Sequence, residues 1–212
     1  MNNSKIKKMR IPVELRQLQK SQNEHGISCN TLSSSPDDFT ALEAYIPGPK
    51  GSPYEEGIFK MSITFGEQYP FRPPTFKFIT PVYHPNIDSG KCFVQGNLIA
   101  IINTFKAGKI CLDLLRMPPT GSYNPAITLE SILLSIQLLL ANPNPDDPLQ
   151  GDAADLFKSN RDLYNQKARE FVKQHSCLHE DMKVVDSGEV KENDVPAGNQ
   201  EVKKKKLKLS YK

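Results

Sequence analysis

Gly57–Phe65 reads GIFKMSITF, with Phe59, Met61, Ile63 and Phe65 on one side of an alternating run and Lys60, Ser62 and Thr64 on the other. Alternation of this kind is the mark of a strand with one face buried. The device recurs at Thr75–Thr80, where Phe76 and Phe78 alternate. It is looser at Phe39–Ile46, through Phe39, Ala41, Tyr45 and Ile46, before the breaker Pro47-Gly48-Pro49. A weaker strand covers Gly26–Leu32, and the short connections predict a four-stranded antiparallel meander. Upstream, an amphipathic helix begins near Pro12 and carries Val13, Leu15 and Leu18. Downstream the period becomes helical. Thr128 is placed to cap TLESILLSIQLLLAN, which is apolar almost all round and is expected to be a buried helix. Pro143, Pro145 and Pro148 end it, and two polar-faced helices follow over Asp152–Asn160 and Arg161–His175. Helix, antiparallel sheet, then helices defines an α+β domain.

The chain has 212 residues, 38% of them hydrophobic and 24% charged, with a net charge of +3. That balance suits a globular chain and gives no argument for nucleic acid or membrane. No apolar run approaches the roughly 20 residues that span a bilayer, and MNNSKIKKMR lacks the apolar stretch of a signal peptide. The expectation is an intracellular protein. From Cys177 onward periodicity ends, so residues 177–212 are expected to be a disordered tail, acidic and then basic. Its cluster Lys203–Lys206 with Lys208 can be read as a nuclear-import address or as a solvated charge run.

The four cysteines are Cys29, Cys92, Cys111 and Cys177. None forms a CxxC pair or has a histidine at zinc-ligand spacing, so neither a metal site nor a disulfide framework is expected. Three short motifs then stand out between residues 69 and 115: Tyr69-Pro70-Phe71-Arg72-Pro73-Pro74, His84-Pro85-Asn86, and Lys109-Ile110-Cys111-Leu112-Asp113-Leu114-Leu115. Taken singly they read as a turn between strands, a proline-fixed turn, and a core cysteine in an apolar run. A cysteine hydrolase would need a histidine base beside the thiol. His84 belongs to its turn, and His25, His175 and His179 have no catalytic context.

In order, YPFRPP, HPN, KICLDLL and Pro143-Asn144-Pro145-Asp146-Asp147-Pro148-Leu149 resemble the signature of ubiquitin-conjugating enzymes over residues 5–176. Within that family the likeness is to the T type, the Fanconi-anaemia branch. It rests on HPNIDS, the loop Leu115-Arg116-Met117-Pro118-Pro119-Thr120-Gly121, SIQLLLANPNPDDPL and the extended tail. The resemblance implies the ubiquitin-conjugating fold, with residues 5–176 as the catalytic domain and Cys111 as the thioester-forming residue. Thioester exchange needs an accessible thiol but not a strongly depressed pKa. Asn86 would act on a developing oxyanion or on the loop that holds the site. Asp147 would orient the incoming lysine, although it, Asp146 or Asp152 could instead cap the next helix. His84, Pro85 and Asp113 support the motifs. The ligase surface would comprise Lys7, Arg10, Pro70, Phe71, Arg72, Asn124, Pro125 and Ala126, with Phe71 as the apolar anchor. Implied partners are ubiquitin, its activating enzyme, a RING-type ligase (of the Fanconi pathway for the T type) and a substrate lysine. Direct contact with nucleic acid or membrane is not expected. ATP is consumed by the activating enzyme, so no cofactor is expected here.

The sequence departs from that pattern in several places. Pro12 predicts a short or kinked first turn, Tyr123 stands where tryptophan is usual, and Arg116 and Thr120 stand where the T type carries lysines. Asn86 lies 25 positions before Cys111, much further than the family's spacing. Removing Gly90–Lys106, GKCFVQGNLIAIINTFK, leaves HPNIDS-AGKICLDLL, a regular family sequence. These 17 residues are apolar and read as lacking turn chemistry. Gly-Lys-Cys and Lys-Ala can be encoded with splice-donor and terminal AG sequences, so a retained in-frame intron stands beside a true surface loop as an origin. A non-catalytic module of the same fold is the functional alternative, because extra chain before Cys111 could hinder the thiol. Deleting Gly90–Lys106 is expected to improve solubility and to preserve or raise thioester formation, with most transcripts lacking the 51 nucleotides. Transcripts that all retain them, together with a deletion that lowers activity, would identify a working part of the protein.

Overall fold

The computed structural model describes residues 3–32, 39–88, 92–95, 98–101 and 107–178. The order is α1 (Asn3–His25), β1 (Ser28–Thr31), β2 (Ala41–Pro47), β3 (Gly57–Thr64), β4 (Thr75–Phe78), β5 (Cys92–Gln95), β6 (Leu98–Ile101), α2 (Leu129–Ala141), α3 (Gly151–Ser159), α4 (Arg161–His175) and β7 (Cys177–Leu178). Strands β1–β4 form the expected antiparallel meander in chain order. β4 pairs with Met61–Thr64 of β3, and β7 pairs with the start of that edge through Gly57↔Leu178 and Ile58↔Cys177. Cys177 and Leu178 therefore belong to the sheet rather than to the tail. The rest of the expected tail, 179–212, lies outside the described residues.

One face of the sheet makes the core. Phe59, Met61, Ile63 and Phe65 are buried as the alternation requires, with Phe76 and Phe78 beside them. On β2 the buried set is Leu42, Ala44 and Ile46, not Phe39, Ala41 and Tyr45. A one-residue shift in reading turns every side chain to the other face. Tyr45 points outward, where its hydroxyl donates to Glu43, which also pairs with Lys60. Thr128 caps α2 by accepting from Ser131 N at 3.2 Å. Leu129, Ile132, Leu133, Ile136 and Leu140 pack into the core while Leu138 is 63% exposed, so α2 is buried on one side rather than all round.

The first helix begins well before Pro12, which lies inside it. Ile11, Leu15 and Leu18 face the core, whereas Val13 is 53% exposed. An interior proline costs about 3 kcal/mol, but the preceding turns are anchored from outside. Lys7 Nζ donates to Phe65 O at 3.0 Å, and Arg10 donates to Pro125 O and, at 2.8 Å, to Ile127 O. The buried Glu14 carboxylate pairs with Arg10, accepts from Leu129 N at 2.9 Å at the start of α2, and receives the Tyr69 hydroxyl at 3.3 Å. Removing one partner from such a buried pair costs roughly 3–5 kcal/mol. This knot locks α1 against α2.

The segment before Cys111 leaves and re-enters the fold through a closed base. Gly108 N donates to Asp88 O at 2.5 Å, Asp88 N to Lys109 O at 2.9 Å, and Cys111 N to Asn86 O at 2.8 Å. Gly108 has φ +78°, and a Cβ there would lie 2.0 Å from Phe78 O, so no other residue fits this close approach. Between the two sides of this base, β5 and β6 pair antiparallel, with Gln95 opposite Leu98. The link is Gly96-Asn97, a two-residue hairpin signal. The expectation that the segment lacks turn chemistry is thereby corrected.

His84 fixes the HPN turn from inside. The imidazole is fully buried, accepts from Asn86 N at its Nδ1 (3.0 Å), and reaches Leu139 O through Nε2 (3.0 Å). That assigns the proton to Nε2 and satisfies a carbonyl in the last turn of α2. Burial pushes its pKa down to about 3. An unfolded histidine titrates near 6.5, so the unfolded chain binds the extra proton first on acidification. Stability should therefore fall as pH drops from about 6.5 toward 3, by up to ~1.4 kcal/mol per pH unit. Urea midpoints at pH 7, 5.5 and 4.5 measure this. The His84→Gln variant should be less stable at pH 7 and flatter over that window.

Candidate active site

Cys111 follows the ladder strand that re-enters at Gly108, and only 7% of its surface is exposed. Its Sγ–H donates to Asp147 Oδ2 at 2.8 Å, while Arg116 Nη2 donates to Sγ at 2.6 Å and lies 3.2 Å from the same Oδ2. Thiol, carboxylate and guanidinium therefore meet at one point. Burial first, and then the carboxylate acceptor, push the Cys111 thiol up to about 11, against the pull of Arg116. The hydrogen bond from Cys111 lowers the Asp147 pKa most, and Arg116 lowers it further, so the carboxylate is ionised at neutral pH. Cys29 differs: burial is the cause that pushes its thiol up to about 12.

Asn86 is 1% exposed, and both ends of its side-chain amide are hydrogen-bonded. Nδ2 donates to Asn144 O at 2.7 Å and Asp147 O at 3.0 Å, while Oδ1 accepts from Asn144 N at 2.8 Å. Both amide hydrogens hold the loop that carries Asp147. Of the two roles open to Asn86, this arrangement matches loop holding. Pro85 O accepts from Leu149 N and Gln150 N at 2.7 and 3.0 Å, tying the other end of that loop to the HPN turn. The capping alternative for the acidic residues does not hold. Gln150 is the N-cap of α3 and makes no side-chain cap, Asp147 points at the thiol, and Asp146 accepts from Lys158.

Asp113 contributes through its backbone. It opens a single 3-10 turn, and its carbonyl accepts from Arg116 N and Ser122 N, both at 3.0 Å. Arg116 is the site residue that motif reading missed. A basic residue five positions after a candidate nucleophile is a detectable signal, because cations near a thiol favour its thiolate. The segment 113–123 closes tightly around it: a Cβ on Gly121 would lie 2.3 Å from Arg116 Cβ and 2.4 Å from Arg116 O.

The eight residues assigned to ligase docking gather on a second surface. Phe71 is 51% exposed, and Arg72, Asn124, Pro125 and Ala126 are exposed around it, whereas Pro70 is buried. Lys7 and Arg10 flank them, but their cationic groups bond to carbonyls of the same surface. Tyr123, in the usual tryptophan position, is 2% exposed and donates its hydroxyl to Pro70 O at 2.6 Å. Arg10 and Tyr123 therefore shape the surface by joining its parts.

Three comparisons place this geometry. The model of the ubiquitin-conjugating enzyme family matches residues 10–172. Ubiquitin-conjugating enzyme E2 T of Xenopus laevis is 42% identical over 167 residues, covering 79% of this chain and 76% of the relative. The protein of the same name in Danio rerio is 38% identical over 187 residues, covering 88% and 80%. Among solved structures, the E2 domain of a Toxoplasma gondii ubiquitin conjugating enzyme matches with a TM-score of 0.62 at 32% identity, over 78% of this chain and 95% of that one. A family model that spans most of the described chain, carried on the same fold with its cysteine motif intact, shows that this protein belongs to the ubiquitin-conjugating enzyme family.

Proposed function

We propose that this protein accepts ubiquitin from the activating enzyme as a thioester on Cys111 and passes it to substrate lysines with a RING-type ligase. The observation that carries this reading is the Cys111 Sγ–Asp147 Oδ2 contact of 2.8 Å at the end of the Asn86-held loop. In charging, the Cys111 sulfur attacks the activating enzyme's thioester carbonyl. The new C–S bond replaces the old one, and the Cys111 proton ends on the departing thiol. In discharge, an ionised Asp147 beside the sulfur can accept a hydrogen bond from the lysine and orient its nitrogen toward the carbonyl. The raised thiol pKa is compatible with this, since the incoming acyl group is already activated. Phe71, solvent-exposed within a rigid proline loop, supplies the apolar anchor for a ligase. Likeness to relatives bearing the E2 T name supports monoubiquitination in interstrand crosslink repair.

Incubation with activating enzyme, ATP and ubiquitin should give a thiol-sensitive adduct. Cys111→Ser should convert it to a stable oxyester, Cys111→Ala should abolish it, and Cys92→Ala should leave it intact. An adduct that maps to Cys92 would overturn the assignment. The basic residues Lys203–Lys206 and Lys208 support a nuclear protein. Truncation of residues 200–212 should shift the protein toward the cytoplasm with charging unchanged; unaltered nuclear accumulation would refute the import role.

A further inference from the structure

We propose that Arg116 is a catalytic residue of the discharge step, stabilising the Cys111 thiolate as it leaves and keeping Asp147 aimed at the lysine once the thiol proton is gone. The proposal rests on Cys111 carrying the ubiquitin thioester, and it assigns chemistry to a side chain that the resemblance left without a catalytic role. Arg116 Nη2 sits 2.6 Å from Cys111 Sγ and 3.2 Å from Asp147 Oδ2, so one nitrogen touches both reacting partners. Its backbone is held at both ends, by Arg116 N to Asp113 O and Tyr123 N to Arg116 O, each at 3.0 Å. Gly121 allows the segment to fold back against it. A loosely placed arginine would not be held this way.

The chemistry follows from what changes on charging. In the free protein the thiol proton occupies Asp147 Oδ2. Acylation of the sulfur removes that donor, leaving the carboxylate with Arg116 as its partner among the described residues and free to accept an N–H from lysine. The lysine ammonium loses one proton to water, and its lone pair forms the C–N bond. The C–S pair returns to Sγ as thiolate beside the guanidinium, and the second nitrogen proton leaves to solvent. Cations that lower a leaving thiol's pKa accelerate its departure. In charging, the same cation raises the thiolate fraction but weakens its nucleophilicity, so the two effects partly cancel. Arg116 should therefore matter more for discharge than for charging. The charged groups bearing on the thiol are Asp147 from the loop after α2, with Arg116 and Asp113 from the segment after Cys111.

Two measurements on the full-length protein test this, using Arg116→Gln and Arg116→Lys. The first follows iodoacetamide labelling of the Cys111 peptide by mass spectrometry across pH, with no ubiquitin present. Arg116→Gln should move the labelling midpoint upward, and Arg116→Lys should restore much of it. The second chases preformed ubiquitin thioester with free lysine. Arg116→Gln should slow discharge about tenfold while charging changes much less. An unmoved midpoint with wild-type discharge would overturn the proposal, as would equal loss of charging and discharge with an unmoved midpoint, which is the pattern of a structural defect. A wild-type protein that forms no thioester would sink the proposed function and the discharge role with it, whereas the labelling midpoint still reads the Arg116–Cys111 contact on its own.

Discussion

The side-chain amide of Asn86 closes the site. Its three hydrogen bonds to Asn144 and Asp147 fix a loop containing Pro143, Pro145 and Pro148, which lacks secondary structure of its own. Without that closure the loop would keep its tie at Leu149 and Gln150 to Pro85 O but lose the one at Asp147 itself, whose carboxylate is largely exposed. Asn86 can do this because it is itself fixed on the protein side. His84 accepts its backbone N–H and anchors the turn to α2, and Asn86 O accepts the Cys111 N–H. One buried amide thus relates three separate stretches: the HPN turn, the re-entrant ladder and the loop after α2. A buried amide satisfied at every position specifies one arrangement, since any displacement leaves polar atoms unpaired in a dry interior.

The same constraint bears on the long connection between Asp88 and Gly108. The ladder between 86–88 and 108–111 brings the ends of the excursion within hydrogen-bond distance. Closure of a loop costs little more as the loop lengthens, about 0.6 kcal/mol per doubling, so the base tolerates a longer connection. The geometry of Cys111, Asn86 and Asp147 is set below that base, whatever the origin of β5 and β6. A hairpin is also the economical conformation for an apolar insertion, because pairing satisfies its backbone groups locally. Among the described residues, the side-chain partners of Cys111 are Asp147 and Arg116.

Local chemistry made the architecture legible. Alternation assigns the buried face of β3 and β4, Thr128 marks the start of α2, and of the apolar residues at helical spacing in α4, Leu163, Tyr164, Ala168, Phe171 and Val172, the buried ones are Tyr164, Ala168 and Val172, while Leu163 is 39% exposed. Failures arose where a non-local contact overrides a local preference. Pro12 reads as a helix start because its ring disfavours the interior, but Lys7 and Arg10 fasten the preceding turns to Phe65, Pro125 and Ile127, over fifty residues away in sequence. β2 is legible in part: Ile46 is core and Phe39 packs against it, whereas Tyr45 looks like core until its hydroxyl finds Glu43. The site divided in the same way. The motifs point to Cys111, Asn86 and Asp147, whereas the contact of Arg116 with them depends also on a backbone fold-back at Gly121.

Tyr123 joins the two surfaces that the sequence suggested separately. Its hydroxyl grips Pro70 O beneath the Phe71 loop, and its backbone N–H grips Arg116 O beside the thiol. A partner pressing on Phe71, Pro125 or Ala126 therefore acts on a segment whose next fixed point is the guanidinium against Cys111. Tryptophan at this position would offer an N–H in place of the O–H, from a larger ring, so the reach to Pro70 O would change with the geometry of the segment behind it. The tyrosine at 123 and the arginine at 116 are two departures from the family pattern on one short loop, and the hydrogen bond between their backbones makes them a single structural unit. The unit thus runs from the Phe71 surface to the Cys111 thiol, and it closes tightly at Gly121, where a Cβ would meet Arg116.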